Sequence, residues 1–283
     1  MSSNATQYTE LSSQINATSK ILISNNEYIG EMDNQGLKEG FGIQILKNKD
    51  VLKGFFSRNI IKDWGILNYS QGDVYKGQFQ NEKACGYGEY YHENGGIYIG
   101  YWDNNYQEDI GIEIWSDNSK YIGQYLNGKK EGIGTFYIED GSTYKGEWKN
   151  NLINGYGIFK YYDGKIYMGQ YKNNMMWGFG NFIWNQNKKY SGFYKNDNKD
   201  GFGIFKTKGN KYFIGFWKNG KQEGVGKFFV DNIIKYGNWK NGKKENEFIS
   251  EEEFINSFNS YEAKYINIFQ WNKEKIENFM KVN

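Results

Sequence analysis

One histidine, His92, and one cysteine, Cys85, are all that the 283 residues offer for imidazole or thiolate chemistry. A Ser-His-Asp or Cys-His arrangement would have to run through that single ring, and a structural zinc cluster cannot be assembled from two such ligands. Cys85 stands where the neighbouring sequence varies freely and reads as an inert thiol. Three stretches imitate half of a phosphate-binding loop: Gly123 to Gly128-Lys129, Gly215 to Gly220-Lys221 and Gly237 to Gly242-Lys243. Such a loop needs Ser or Thr after the lysine to reach the magnesium ion, and Lys130, Gln222 and Lys244 stand there instead. Asp197, Asp200 and Glu223 fall in polar turns, where solvation is expected. These residues predict no enzyme, no metal, no cofactor and no small-molecule substrate.

Composition narrows the class further. There are 36 glycines, no proline and 19% aromatic residues, with only 38% hydrophobic residues overall. Disordered chains are poor in aromatics and collagen requires proline, so neither fits. A net charge of +2 favours neither nucleic acid nor an anionic membrane. No run of 18 apolar residues offers a membrane-spanning helix. The first 20 residues lack the basic start and apolar core of a secretory signal. With no partner for an intrachain disulfide, an intracellular protein is expected.

The glycines are periodic. Gly54, Gly77, Gly100, Gly123, Gly146, Gly169, Gly192 and Gly215 are each 23 residues apart, with Gly30 24 before and Gly237 22 after. These define ten repeats. Two residues after the glycine stands an aromatic in every repeat but the first, which has Met32. Two residues before it stands tyrosine in seven repeats, with Leu52, Phe213 and Lys235 as exceptions. A Gly-x-Gly step follows, as in Gly132 and Gly134, except that Asp63 and Asp109 replace its first glycine in repeats two and four. The two steps account for 26 of the 36 glycines.

Each repeat reads as a β-hairpin. Tyr-x-Gly-x-aromatic has the two-residue alternation of a strand. An Asn-containing turn follows, written Asn-Gly in repeats five, nine and ten, the pair suited to positive φ at both hairpin positions. The second strand carries Gly-x-Gly and an apolar run. Alternation places glycines and rings on one face, so rings from adjacent strands can cover the bare backbone. Absence of proline lets every strand interior donate to its ladder. The expected fold is all-β: an elongated single-layer antiparallel sheet of about ten hairpins. Repeats two and four are expected to be irregular.

Tyr144-Lys-Gly-Glu-Trp148-Lys-Asn, then Gly155-Tyr-Gly157, then Asp163-Gly164 resembles the MORN (membrane occupation and recognition nexus) repeat. The resemblance runs from residue 28 to about residue 246. It implies a binding or scaffolding role. Free-standing MORN proteins without a catalytic domain resemble subunits of motile cilia, notably radial-spoke heads, and others organise the cortical cytoskeleton.

The ends differ from this rod of residues 21–246. Residues 1–20 are polar and expected to be a disordered tail, and Ile21-Leu22-Ile23 fits a half-repeat. Segment 247–283 holds seven carboxylates against four lysines. It opens with Ser250-Glu251-Glu252-Glu253, a capping-box pattern. Phe254, Phe258, Tyr261, Tyr265, Ile268 and Phe269 then follow a helical period, predicting an amphipathic α-helix that caps the last strand or docks a partner.

A single layer leaves its second face available. The residue between the paired glycines points there and is apolar throughout, Phe41 to Val225. Repeat four adds Ile99 and Tyr101 beside Ile110 and Ile112, and repeat nine adds Ile214 and Phe216 with Phe193 next door. Contiguous apolar surface marks a contact. The C-terminal segment or a partner could cover repeats eight and nine; an outside protein is expected on repeat four. The function expected is a structural subunit of a multi-protein cytoskeletal assembly, with the ciliary axoneme as its place. The alternative is a phospholipid-binding adaptor at a membrane, which the dilute lysines favour less: the repeats carry +6 in all.

Overall fold

The computed structural model describes residues 28–209, 211–230, 233–247, 250 and 252. The half-repeat, the N-terminal tail and the C-terminal helix lie outside the described residues, as do Phe254, Phe258, Tyr265 and Phe269. Twenty strands, from Tyr28–Met32 to Lys243–Glu247, belong to one antiparallel sheet. They fall in two compact units, one up to Ser116 together with Leu126–Gly128, the other Asp117–Tyr125 with the chain from Lys129.

Repeat six shows how a hairpin is built. Strand Thr143–Lys149 pairs with Leu152–Lys160, and Gly146 faces Gly157. The connecting residues Asn150 and Asn151 have φ of 49° and 66°. Positive φ at both centres is the type I′ turn, whose twist matches that of the strands. Asparagine tolerates that region better than other side chains with a Cβ. The other turn, at Asp140-Gly141, closes with Ile138 N–H on the Ser142 carbonyl at 2.9 Å.

The core is a ladder of rings on one face. Tyr28, Tyr75, Tyr98, Tyr121, Tyr144, Tyr167 and Tyr190 are at most 1% exposed. In the second unit, Tyr144 packs edge-on against Trp148 at 5.5 Å, and Tyr121 against Trp148 at 5.1 Å. Such pairs add about 0.5–1.5 kcal/mol beyond area burial. Each tyrosine also folds back along its own strand. Its hydroxyl donates to the carbonyl three residues on, as Tyr144 does to Glu147 at 3.0 Å and Tyr75 to Gln78 at 2.9 Å. The register slips just after the glycine, and the hydroxyl partners that carbonyl at the bulge.

The expectation that rings from adjacent strands cover the bare backbone holds for the glycine of the second strand, and the same ring also covers the glycine of its own strand. Tyr144 lies over Gly146 of its own strand and reaches across to Gly157, where an added Cβ would collide with the ring. The glycines are bare because the tyrosine occupies the space of their side chains.

Repeats two and four are regular hairpins. Asp63 and Asp109 hold φ of 57° and 53°, the left-handed conformation of Gly132 (68°) and Gly178 (65°) in the same place. Arg58 and Asn59 complete the same type I′ turn at 48° and 73°. Leu52 leaves a gap that Ile61 enters from the next strand, its methyl lying against Gly54 and Gly65.

Candidate functional site

The second face takes its character from one position, the residue just after the strand glycine. Where it is Gln or Glu, the side chain folds over the left-handed glycine opposite. Its oxygen then accepts the N–H of the residue between the paired glycines. Gln78 accepts from Tyr87 at 2.7 Å, Gln124 from Ile133 at 2.7 Å, Glu147 from Tyr156 at 2.8 Å and Gln170 from Phe179 at 2.8 Å. Repeats two, four, eight and nine have Phe55, Tyr101, Phe193 and Phe216 there instead. A ring cannot accept that bond, so these repeats exchange a lock on the bulge for an aromatic on the surface.

In the first unit those rings meet solvent. Phe55 is 39%, Trp64 41%, Tyr87 40%, Tyr101 49% and Ile110 47% exposed. Phe55 packs edge-on against Phe41 at 5.6 Å, and Tyr101 against Tyr87 at 6.2 Å. Ile99 and Ile112 are register partners and half-buried beside them. Sequence reasoning placed Trp64 in the apolar row of the second face but missed Phe55 beside it, because Lys53 gives that repeat a polar flank. The absent amide or carboxylate at the bulge was the signal that finds Phe55.

In the second unit the equivalent residues are packed. Phe193, Ile214 and Phe216 surround a buried Phe202. Ring centroids lie 5.9 Å apart for Phe179 and Phe193, and 5.7 Å apart for Phe202 and Phe216.

The chemistry-bearing residues are otherwise engaged. Cys85 is half-buried on a strand, and burial pushes its thiol up, away from the nucleophilic thiolate. His92 lies against Tyr90 with ring centroids 4.8 Å apart at a 60° tilt, and Asp73 is 3.8 Å from its Nδ1. Tyr90 donates to Asp73 at 2.6 Å, and that bond first of all holds the carboxyl below its usual range. The phosphate-loop imitations use their turn amides elsewhere: Gly128, Gly220 and Gly242 donate to Gln107, Lys199 and Gln222 at 2.9 Å.

Asp197, Asp200 and Glu223 bind the sheet rather than water alone. Asp197 accepts from Met176 N–H at 2.7 Å, Glu223 from Asn241 at 2.8 Å, and Asp200 from Asn219 at 3.4 Å. A turn brought against the preceding hairpin presents N–H groups that need acceptors.

Six segments match the family model of the MORN repeat: residues 75–97, 121–143, 144–166, 167–188, 190–211 and 213–232. The chain is a MORN-repeat protein. MORN repeats serve in interactions with proteins or lipids, and proteins built of them are generally non-catalytic. No curated protein sequence matches the chain. Among solved structures, it is similar to the TCP10 domain of Danio rerio CPAP in complex with a STIL peptide. That match has 12% identity and a TM-score of 0.46, covering 79% of this chain and 100% of that one. The SAS-4 (dCPAP) TCP domain of Drosophila melanogaster, bound to a proline-rich motif of Ana2, is also similar. There the identity is 14% and the TM-score 0.38, over 64% of this chain and 97% of that one. At these values the likenesses carry no information about activity.

Proposed function

We propose that this protein is a non-catalytic scaffold subunit of a larger protein assembly, and that a protein partner docks on the aromatic face of repeats two to four. One observation carries the reading. Phe55 and Tyr101 replace the bulge-locking Gln or Glu and, with Trp64, Tyr87 and Ile110, expose rings and aliphatic chains on one face. Giving up a hydrogen bond worth about 1 kcal/mol for an exposed ring is a cost with no return in folding. Aromatic anchors are what protein interfaces bury.

The assembly is cytoskeletal and intracellular on this reading, with the axoneme of motile cilia first. The support is the resemblance to free-standing MORN proteins of radial-spoke heads, an argument from family rather than from site.

Paired substitution Ile99→Lys and Tyr101→Glu alters this face and leaves the ring ladder intact. The variant is expected to keep its circular dichroism and to lose co-purification with axonemes from ciliated cells. Undiminished co-purification would overturn the docking face, and absence of the native protein from axonemes would overturn the location. Robust flotation with anionic liposomes at physiological salt would favour the lipid-binding alternative.

A further inference from the structure

The residues between the paired glycines do not share one environment. In the first unit, Tyr87 and Tyr101 form an edge-on pair and remain 40% and 49% exposed. In the second unit, Phe179 and Phe202 form the same kind of pair with Phe193 and Phe216, yet are 0% and 7% exposed. Strand register around them is the same, each pair being directly opposed. Ring pairing alone therefore does not account for the burial.

The face has a charge as well as an apolar centre. Lys189 and Lys206 are register partners on it, and Lys227 lies further along with its ammonium 5.8 Å from the Tyr236 ring. The nearby carboxylates of Asp200 and Glu223 are held by turn N–H groups. A fitting cover is apolar on one side and acidic on the other.

The chain itself holds such a segment. Past Glu247, Phe254, Phe258, Tyr261, Tyr265, Ile268 and Phe269 follow a helical period, in a stretch richer in carboxylates than in lysines. As a helix, residues 254–269 would extend about 22 Å. Strands lie about 4.8 Å apart, so the strands of Phe202 and Phe179 are roughly 19 and 29 Å back from Lys243–Glu247. Length and starting point match.

We propose that the C-terminal segment 250–283 lies across this face of repeats seven to nine. Its apolar stripe covers Phe179, Phe193, Phe202, Ile214 and Phe216, and its carboxylates face Lys189, Lys206 and Lys227. The assignment does not depend on the partner proposed for repeats two to four. The second unit's aromatic face is closed by the protein's own chain and withheld from other partners.

Photo-crosslinking in the full chain tests this. Benzoylphenylalanine is placed at Val225, half-buried beside Phe202, with a second placement at Lys227 in case the first disturbs folding. The expected product has monomer mass, and its crosslinked peptide lies within residues 250–283. Adding Phe258→Glu and Phe269→Glu should lower the yield at least fivefold with circular dichroism unchanged. A crosslinked dimer would assign the face to a second copy and overturn the proposal. So would crosslinks to other peptides only, no crosslink from either placement, or a yield indifferent to the two glutamates.

Discussion

Tyr144 buries its ring, covers Gly146 and Gly157, and partners the Glu147 carbonyl at the bulge. Each role has its own test. Gly157→Ala puts a methyl where the ring lies, and overpacking of this kind costs about 1–3 kcal/mol; urea denaturation should read it as a lower midpoint. Tyr144→Phe keeps the ring and loses the hydroxyl, costing about 1 kcal/mol. The smaller loss is expected because Phe213 fills the same place in repeat nine. The tyrosines also set an alkaline limit. Burial, ahead of nearby carboxylates, pushes Tyr28 up to about 12, and burial pushes Tyr75, Tyr98, Tyr144, Tyr167 and Tyr190 higher still. In the unfolded chain they titrate near 10, so above that pH the unfolded state binds fewer protons than the folded one. Their contribution is complete below about pH 10 and is lost as pH rises toward the folded values. Tyrosinate absorbance should thus appear for these residues in one step with the loss of β-sheet circular dichroism. Ionisation well before unfolding would contradict their burial. Lys199, set among Trp184, Tyr190, Phe205 and Trp217, opposes this weakly. Burial draws it down to about 8 from 10.5, so it adds stability as pH rises between those values.

At the level of the hairpin, the bulge decides what can be read in advance. Strand alternation and the Asn turn were legible because period and turn chemistry are local. The ten-hairpin ladder follows from them, and the structure has it. The regularity of repeats two and four was not legible, since Asp63 and Asp109 look like breaks until their φ of 57° and 53° is known. Aspartate bears that conformation at some cost, and glycine bears it freely. Asp109→Gly should therefore stabilise the protein by up to about 1 kcal/mol, less the extra chain entropy of glycine. A thermal melt reads this as a higher midpoint, with the exposed side chains of Tyr101 and Ile110 unaffected. The candidate site was half legible for a similar reason. Ile99, Tyr101, Ile110 and Ile112 stood out by polarity alone. Trp64 was legible as part of the apolar row, but Phe55 becomes visible only once the Gln78-to-Tyr87 bond shows what the residue after the glycine ordinarily does.

Within each unit, contacts run between successive hairpins, and stability is a sum of local terms and nearest-neighbour terms. Gly180→Ala should speed amide hydrogen exchange most in repeats six to eight and least in repeat ten, all within the second unit. Uniform acceleration through that unit would show longer-range cooperativity. The coupling itself is directional. Asn151 accepts from Lys130 N–H at 2.7 Å, Asn174 from Ile153 at 2.7 Å and Asn105 from Ala84 at 2.7 Å, each reaching 21 residues back. Glu131 accepts from Asn150 N–H at 2.8 Å across the same junction. The second strand of a hairpin is thus finished by the turn of the next one. On a ribosome adding roughly 5–20 residues per second, a repeat takes a few seconds to emerge, and each closes the hairpin made before it. The nascent chain carries one incomplete hairpin at a time, which limits how much bare sheet edge it shows its neighbours while it is being made.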